Sequence, residues 1–259
     1  MVKEWVVSMQ SVKNALRVLE AVAEHQPAGL SDLTQRLGLP KTTVQRCLTT
    51  LHEAEWIKPA GQEQRRWAIT GRAFSVGSQA ANDQDLRSVA LPLLGELQVA
   101  TSETVHLMVP DGNTVVLVER LDSSHQLRTF YSLGTRMPLH TCSNGKAVLA
   151  ALPAEDVAEY LASNLVKVTD QTVTDPDLLS AQLGMIRKIG YAVNEEEQQE
   201  GIVSIGAAIC PPGSGPVASL SVSAPNIRMP RKRYAEVGNL VCETARRIAR
   251  QLPSSNGVH

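Results

Sequence analysis

The sequence predicts an α+β chain of two domains, a small basic domain that is mostly helical and a larger one built on a mixed, mainly antiparallel sheet flanked by helices. Three observations predict it. First, 259 residues exceed the usual size of one domain and suffice for two, each with its own core. Second, charge is unevenly placed: residues 1–80 hold ten Lys/Arg and seven Asp/Glu, net +3, and the remainder holds 15 and 19, net −4. Third, apolar spacing changes from threes and fours to β-branched runs after about residue 100.

From Ser11 to His25, Val12, Ala15, Leu16, Leu19, Val22 and Ala23 form one face of an amphipathic helix, which Pro27 and Gly29 stop. A second short helix, with Ser31 as expected N-cap, turns Leu33 and Leu37 inward and ends at Gly38, where left-handed φ is cheap. Pro40 suits the start of a third helix over Lys41–Glu55. It buries Val44, Leu48 and Leu51 and leaves Lys41, Thr42, Gln45, Arg46 and Thr49 outside. Trp56–Lys58 and Arg65–Ile69 then read as a hairpin around the polar loop 61–64. Helix, helix, Gly turn, helix and two-stranded wing is a winged helix-turn-helix over residues 1–70, and its chemistry fits double-stranded DNA. Thr42, Thr43, Gln45 and Arg46 suit base edges in the major groove, and Ser31, Lys41, Arg65 and Arg66 suit phosphates. The alternative is a helical domain with a solvated polar face.

Residues 71–85 read as a linker helix and Leu86–Ala100 as the helix opening the second domain, 86–259, with Pro92 and Gly95 weakening its continuity. Thr104–Val109 and Thr114–Leu121 are strands around Pro110-Asp111-Gly112-Asn113, and Leu127–Tyr131 is expected to add another. Helices are expected at 144–151, 154–163 and 177–188, strands at 191–194, 204–210 and 217–223, and a closing helix at 231–251. Pro138-Leu139-His140 should be extended, and Ser143-Asn144-Gly145 should open the next helix. Several free backbone N–H groups would then meet where a carboxylate is favoured and Gly145 permits close approach; an ordinary helix cap is the alternative reading.

Composition removes several classes. A net charge of −1 from 25 Lys+Arg and 26 Asp+Glu argues against a uniformly basic nucleic-acid coat or a membrane-surface protein. No run approaches the roughly 18 apolar residues of a membrane span, and residues 1–10 lack a secretory core, so a cytoplasmic protein without membrane contact is expected. Cys47, Cys142, Cys210 and Cys242 are isolated, which excludes paired metal knuckles and points to reduced thiols. The histidines form no ligand cluster, so neither a metal nor another cofactor is expected. Enzyme readings also fail. His140 and Cys142 lack an orienting partner, Gly145-Lys146 lacks the rest of a phosphate loop, and Gly213-Ser214-Gly215 is too short for a nucleophile elbow, so no catalytic residue is assigned. Glu195-Glu196-Glu197 reads as a solvated turn.

Three blocks, in order, carry a resemblance over nearly the whole chain. They are Leu39-Pro-Lys-Thr-Thr-Val-Gln-Arg46, then Gly134-Thr-Arg-Met-Pro-Leu-His-Thr-Cys-Ser-Asn-Gly-Lys-Ala147, then Gly190-Tyr-Ala-Val-Asn-Glu-Glu-Glu-Gln-Gln-Glu-Gly201 with Ile205-Gly-Ala-Ala and Leu220-Ser-Val-Ser-Ala-Pro225. The chain resembles the IclR family of bacterial transcriptional regulators. The resemblance implies a GAF-like effector-binding domain, a homodimer or homotetramer, repression or activation at operator DNA, and a small organic acid or aromatic catabolite as effector. Carried over, the polar groups of the effector pocket are Ser143 and Asn144, then Asn194, Ser204, Ser221 and Ser223, and Gly145 joins them as the point of close backbone approach. Alternation along a strand supports the last pair. Asn194 stands where the family commonly has an acid and Ser204 where it often has a cysteine, so the effector is not inherited from one member. Leu107, Phe130, Met137 and Leu139 are candidates for an apolar wall, with core packing as the alternative.

Overall fold

The computed structural model describes residues 9–61, 65–80 and 84–253. The chain divides into two compact units, Met1–Asp83 and Gln84–His259. The first holds α1 (Gln10–His25), β1 (Ala28–Gly29), α2 (Leu30–Leu37), α3 (Lys41–Glu53), β2 (Ile57–Ala60), β3 (Arg66–Ile69) and α4 (Gly71–Ala80). Residues 62–64 of the expected wing loop and 81–83 of the expected linker helix lie outside the described residues.

Val18 and Val22 of α1, Leu33 of α2, Val44, Leu48 and Leu51 of α3 and Ile57 of β2 form one core. Each aliphatic side chain taken fully out of water there contributes about 1.5–3 kcal/mol. Gly38 closes α2 at φ +62°, its N–H bonded to the Thr34 carbonyl. Ser31 is not the cap: it lies inside the first turn of α2, and Gly29 is the N-cap. The cause is β1, a strand the sequence did not suggest. Ala28 and Gly29 pair with Trp67 and Arg66, which holds Gly29 extended and starts the helix at Leu30.

The second unit holds α5 (Gln84–Thr101), β4 (Thr104–Asp111), β5 (Thr114–Leu121), β6 (Arg136–Pro138), a 3-10 turn at Leu139–Thr141, α6 (Ser143–Ala151), α7 (Ala154–Leu161), α8 (Pro176–Ile189), β7 (Ala192–Glu195), β8 (Ile202–Ile209), β9 (Ala218–Pro225) and α9 (Tyr234–Gln251). The six strands lie in the order β6-β5-β4-β9-β8-β7, every neighbouring pair antiparallel. One sheet face packs on α5 and α9 through Val105, Leu107, Val203, Ile205, Leu220 and Val222. By alternation the opposite face, toward α6, carries His106 and Met108, Ser204 and Gly206, and Ser219, Ser221 and Ser223.

Leu127–Tyr131 is irregular, and the next strand is β6, paired with β5. Side chains take the hydrogen bonds a ladder would have used: Arg120 donates to the Tyr131 carbonyl, and its guanidinium stacks on Phe130 at 3.9 Å. Leu139 and His140 are likewise not extended, because Thr141 Oγ1 bonds back to the Pro138 carbonyl at 2.9 Å and the Tyr160 hydroxyl accepts the His140 N–H at 3.1 Å.

Candidate functional site

Two surfaces hold the site residues the sequence singles out. On α3, burial of Val44, Cys47 and Leu48 forces Lys41, Thr42, Gln45, Arg46 and Thr49 outward, with Thr43 half-buried. Ser31, Lys41, Gln45, Arg65 and Arg66 line one groove of about 650 Å³ between α3, the start of α2 and the start of β3. Arg66 is oriented there, donating to the Pro27 carbonyl at 3.0 Å with Asp32 Oδ2 3.9 Å away. Thr43 and Arg46 face a neighbouring concavity of about 380 Å³ shared with Ser11, Val12 and Asn14 of α1, and Thr42 is exposed on the helix between the two. Lys41 and Arg46 form no ion pair among the described residues, so their charge is available to a phosphate. An exposed helix with hydroxyl, amide and guanidinium groups has the width and donor set for a major groove about 12 Å wide.

The second surface is a small cavity between the sheet and α6. Its lining includes Asn144, Asn194, Ser204, Ser221 and Ser223, five of the seven pocket residues expected from the sequence. Strand register explains the gathering. Ser223 faces Ser204, which faces Asn194, making one polar row across β9, β8 and β7, and Ser221 sits opposite His106 in the next row. The residual space is about 20 Å³, enough for one water molecule. At its rim the Tyr131 hydroxyl donates to Gln199 Oε1 at 2.9 Å.

Ser143 and Gly145 do not line this space. Ser143 Oγ donates to Ser204 Oγ at 2.8 Å, orienting a residue that does. Gly145 sits against its own chain: a Cβ there would lie 2.3 Å from the Leu139 carbonyl oxygen, so the glycine serves packing of the 3-10 turn on α6. Gly206 has the same function on the sheet side, where a Cβ would meet the Ser143 backbone at 3.0 Å. The N-terminus of α6 is capped by Cys142, whose Sγ accepts the Gly145 N–H at 3.4 Å. Burial pushes that thiol's pKa up to about 11. His140 is turned away from it, with Nδ1 2.7 Å from the Tyr160 hydroxyl and Nε2 2.9 Å from the Val166 carbonyl. Of the candidate apolar wall, Met137 lines the cavity; Leu107 is in the core on the other sheet face, Leu139 is in the core beside α6, and Phe130 is exposed.

The cavity has members that sequence reasoning missed: His106, Met108, Tyr131, Gln198, Gln199 and Ile202. His106 left a trace, since it interrupts an apolar strand at the parity of Met108. The glutamines left none. The acidic run is also not a solvated turn. Glu197 is buried against Lys146, with Nζ 2.5 Å from each carboxylate oxygen. Burial pushes Lys146 below the usual lysine range and Glu197 above the usual carboxylate range, each opposed by the partner's charge. Glu195 accepts from Arg231 and Tyr234, and Glu196 from Asn226 and the Gly201 N–H. The run therefore anchors the loop bearing Gln198 and Gln199.

No group of three or more His, Cys, Asp or Glu among the described residues is placed to hold a metal ion, and no helix among them is long and apolar enough to cross a membrane.

Comparison with known proteins agrees with both units. Residues 11–60 match the family described as the IclR helix-turn-helix domain, and residues 78–250 match the bacterial transcriptional regulator IclR C-terminal family. The chain is 32% identical to the transcriptional repressor IclR of Escherichia coli (strain K12), covering 93% of this chain and 89% of that protein. It is 31% identical to the HTH-type transcriptional regulator KdgR of Dickeya chrysanthemi, over 95% and 80% of the two chains. Among solved structures, the Thermotoga maritima IclR superposes with a TM-score of 0.74 at 26% identity, over 94% and 99%. An IclR homolog from Microbacterium hydrocarbonoxydans, complexed with 4-hydroxybenzoate, shares the fold at a TM-score of 0.78 and 24% identity, over 93% and 98%. With both of its units matched in order along the chain, this protein belongs to the IclR family of DNA-binding transcriptional regulators.

Proposed function

We propose that this regulator reads operator DNA as a homodimer or homotetramer and responds to a small organic acid or aromatic catabolite held between α6 and the sheet. Thr42, Thr43, Gln45 and Arg46 contact bases, and Ser31, Lys41, Arg65 and Arg66 contact phosphates. Asn144, Asn194, Ser204, Ser221 and Ser223 contact the effector, while Ser143 and Gly145 seat the start of α6. The observation that carries this reading is the convergence of those five short uncharged polar side chains from four separate elements on one cavity. A family member complexed with 4-hydroxybenzoate supports an aromatic acid. An acid of that size enters by parting Tyr131 from Gln199 at the rim, and binding alters DNA affinity only as far as it favours one arrangement of the recognition helices over another.

A mobility shift on the gene's own upstream region, at fixed salt and with added acids, tests it. Specific retardation weakened by Arg46→Ala and altered by an acid that also raises the melting temperature is the expected result. Retardation unaffected by Arg46→Ala, or by every stabilising acid, refutes it.

A further inference from the structure

His106 is 2% exposed on β4, and its Nε2 is buried without a hydrogen-bond partner among the described residues. Leaving a buried polar atom in that state is costly, and folded proteins rarely do so without a use for it. The ring lines the cavity opposite Ser221, with the Tyr131 ring 5.8 Å away between centroids. Gln198 Oε1 is a second buried atom without a partner, and Gln198 lines the same space.

The other lining side chains are serines, amides, Met108, Met137, Ile202, Cys142 and Tyr131. Cys142 and Tyr131 keep their protons, burial pushing them up to about 11 and about 12. The nearby ammonium of Lys146 is taken by Glu197 and Gln182. A carboxylate entering the cavity therefore finds donors but no counter-charge among its lining, and a buried anion without one is strongly disfavoured.

We propose that a small carboxylate binds against His106 Nε2 and that binding transfers one proton from solvent to the imidazole, so that anion and imidazolium occupy the cavity as a neutral pair. One carboxylate and one proton enter, one N–H bond forms, and release returns both. The inference rests on the small-acid reading above and adds to it the residue that neutralises the acid.

The groups around His106 are consistent with this. From β5, Arg120 disfavours the imidazolium, and Asp122 just beyond that strand favours it. Arg120 is itself paired with Asp122 at 2.7 Å. β9 and β8 bring no charged or titratable group to this face, only Ser219, Ser221 and Ser223 and then Ile202, Ser204, Gly206 and Ala208; α6 and its approach bring Cys142 and Lys146, and the two loops bring Tyr131, Gln198 and the paired Glu197. Burial first, and Arg120 second, hold the ring down to about 4, so it is neutral near pH 7. A carboxylate in contact opposes both causes and raises it.

Calorimetric titration of the full chain with pyruvate, lactate, benzoate and 4-hydroxybenzoate, at about pH 6 in two buffers of different ionisation enthalpy, counts the protons taken up. For an acid that binds, roughly half to one proton per ligand is expected, with affinity rising by up to about tenfold per pH unit as pH falls. His106→Gln and His106→Phe, checked for folding by circular dichroism, should abolish both the uptake and the pH dependence. Wild-type binding without uptake, or unchanged uptake in a folded variant, overturns the role of His106 and leaves the small-acid reading standing. Failure of all four acids to bind overturns both.

Discussion

Replacing His106 by Gln should flatten the acid limb of stability of the Gln84–His259 unit even without a ligand. In the folded chain the ring's pKa lies at about 4, against 6.5 for an ordinary histidine, and burial is the larger cause. The folded state thus binds fewer protons than the unfolded state between these values. The contribution is complete above the unfolded pKa, declines as pH falls below about 6.5, and is gone below about 4. At about 1.4 kcal/mol per pKa unit, the wild type loses roughly 3 kcal/mol over that window through this residue alone. Urea unfolding of both proteins, followed by far-ultraviolet circular dichroism at pH values across the window, gives the difference in slope. Other titrating groups, including the partly buried His140, cancel in that difference. Tryptophan fluorescence is an internal control, because all three tryptophans, Trp5, Trp56 and Trp67, precede residue 84. Parallel pH profiles for the two proteins by circular dichroism would refute the placement of His106 as a buried neutral base.

Lys146→Met, which leaves Glu197 buried without its partner, should cost about 3–5 kcal/mol in the same unfolding assay, and adding Glu197→Leu should restore most of it; a double variant no better than the single one contradicts the pairing. Gly145→Ala places a methyl group on the Leu139 carbonyl and should destabilise by about 1–3 kcal/mol, read as a lowered melting temperature; an unchanged one means the turn can shift freely. Lys41→Ala should reduce the salt slope of operator binding by about one phosphate contact without changing sequence preference, and Gln45→Ala should cost about 1–3 kcal/mol of discrimination at one base position. Titration of operator binding against salt with matched and mismatched sites separates the two effects.

The winged helix was readable because its signals are local. Gly38 demanded a left-handed turn, and the spacing of Val44, Leu48 and Leu51 fixed which face of α3 is outward. Ser31 misled because its helix start is set by a strand pair, Ala28 with Trp67, whose partners lie far apart in sequence. The cavity followed the same division. Ser221 and Ser223 could be paired by strand parity, but their meeting with Ser204 and Asn194 depends on register across three strands. Glu197 looked solvated because nothing local to three consecutive acids reveals a lysine 51 positions earlier in the chain. Tyr131 and the glutamines at the rim sit on irregular segments, where no periodicity reports which way a side chain faces.

The contacts of Gly145 with Leu139 and of Gly206 with Ser143 have a mutational consequence. At both places the helix start lies so close to its neighbour that a single added carbon would collide with main chain, so neither position can accept a side chain unless the backbone moves. The two glycines are thereby the positions of this layer where the fold tolerates least change, whatever is altered around them.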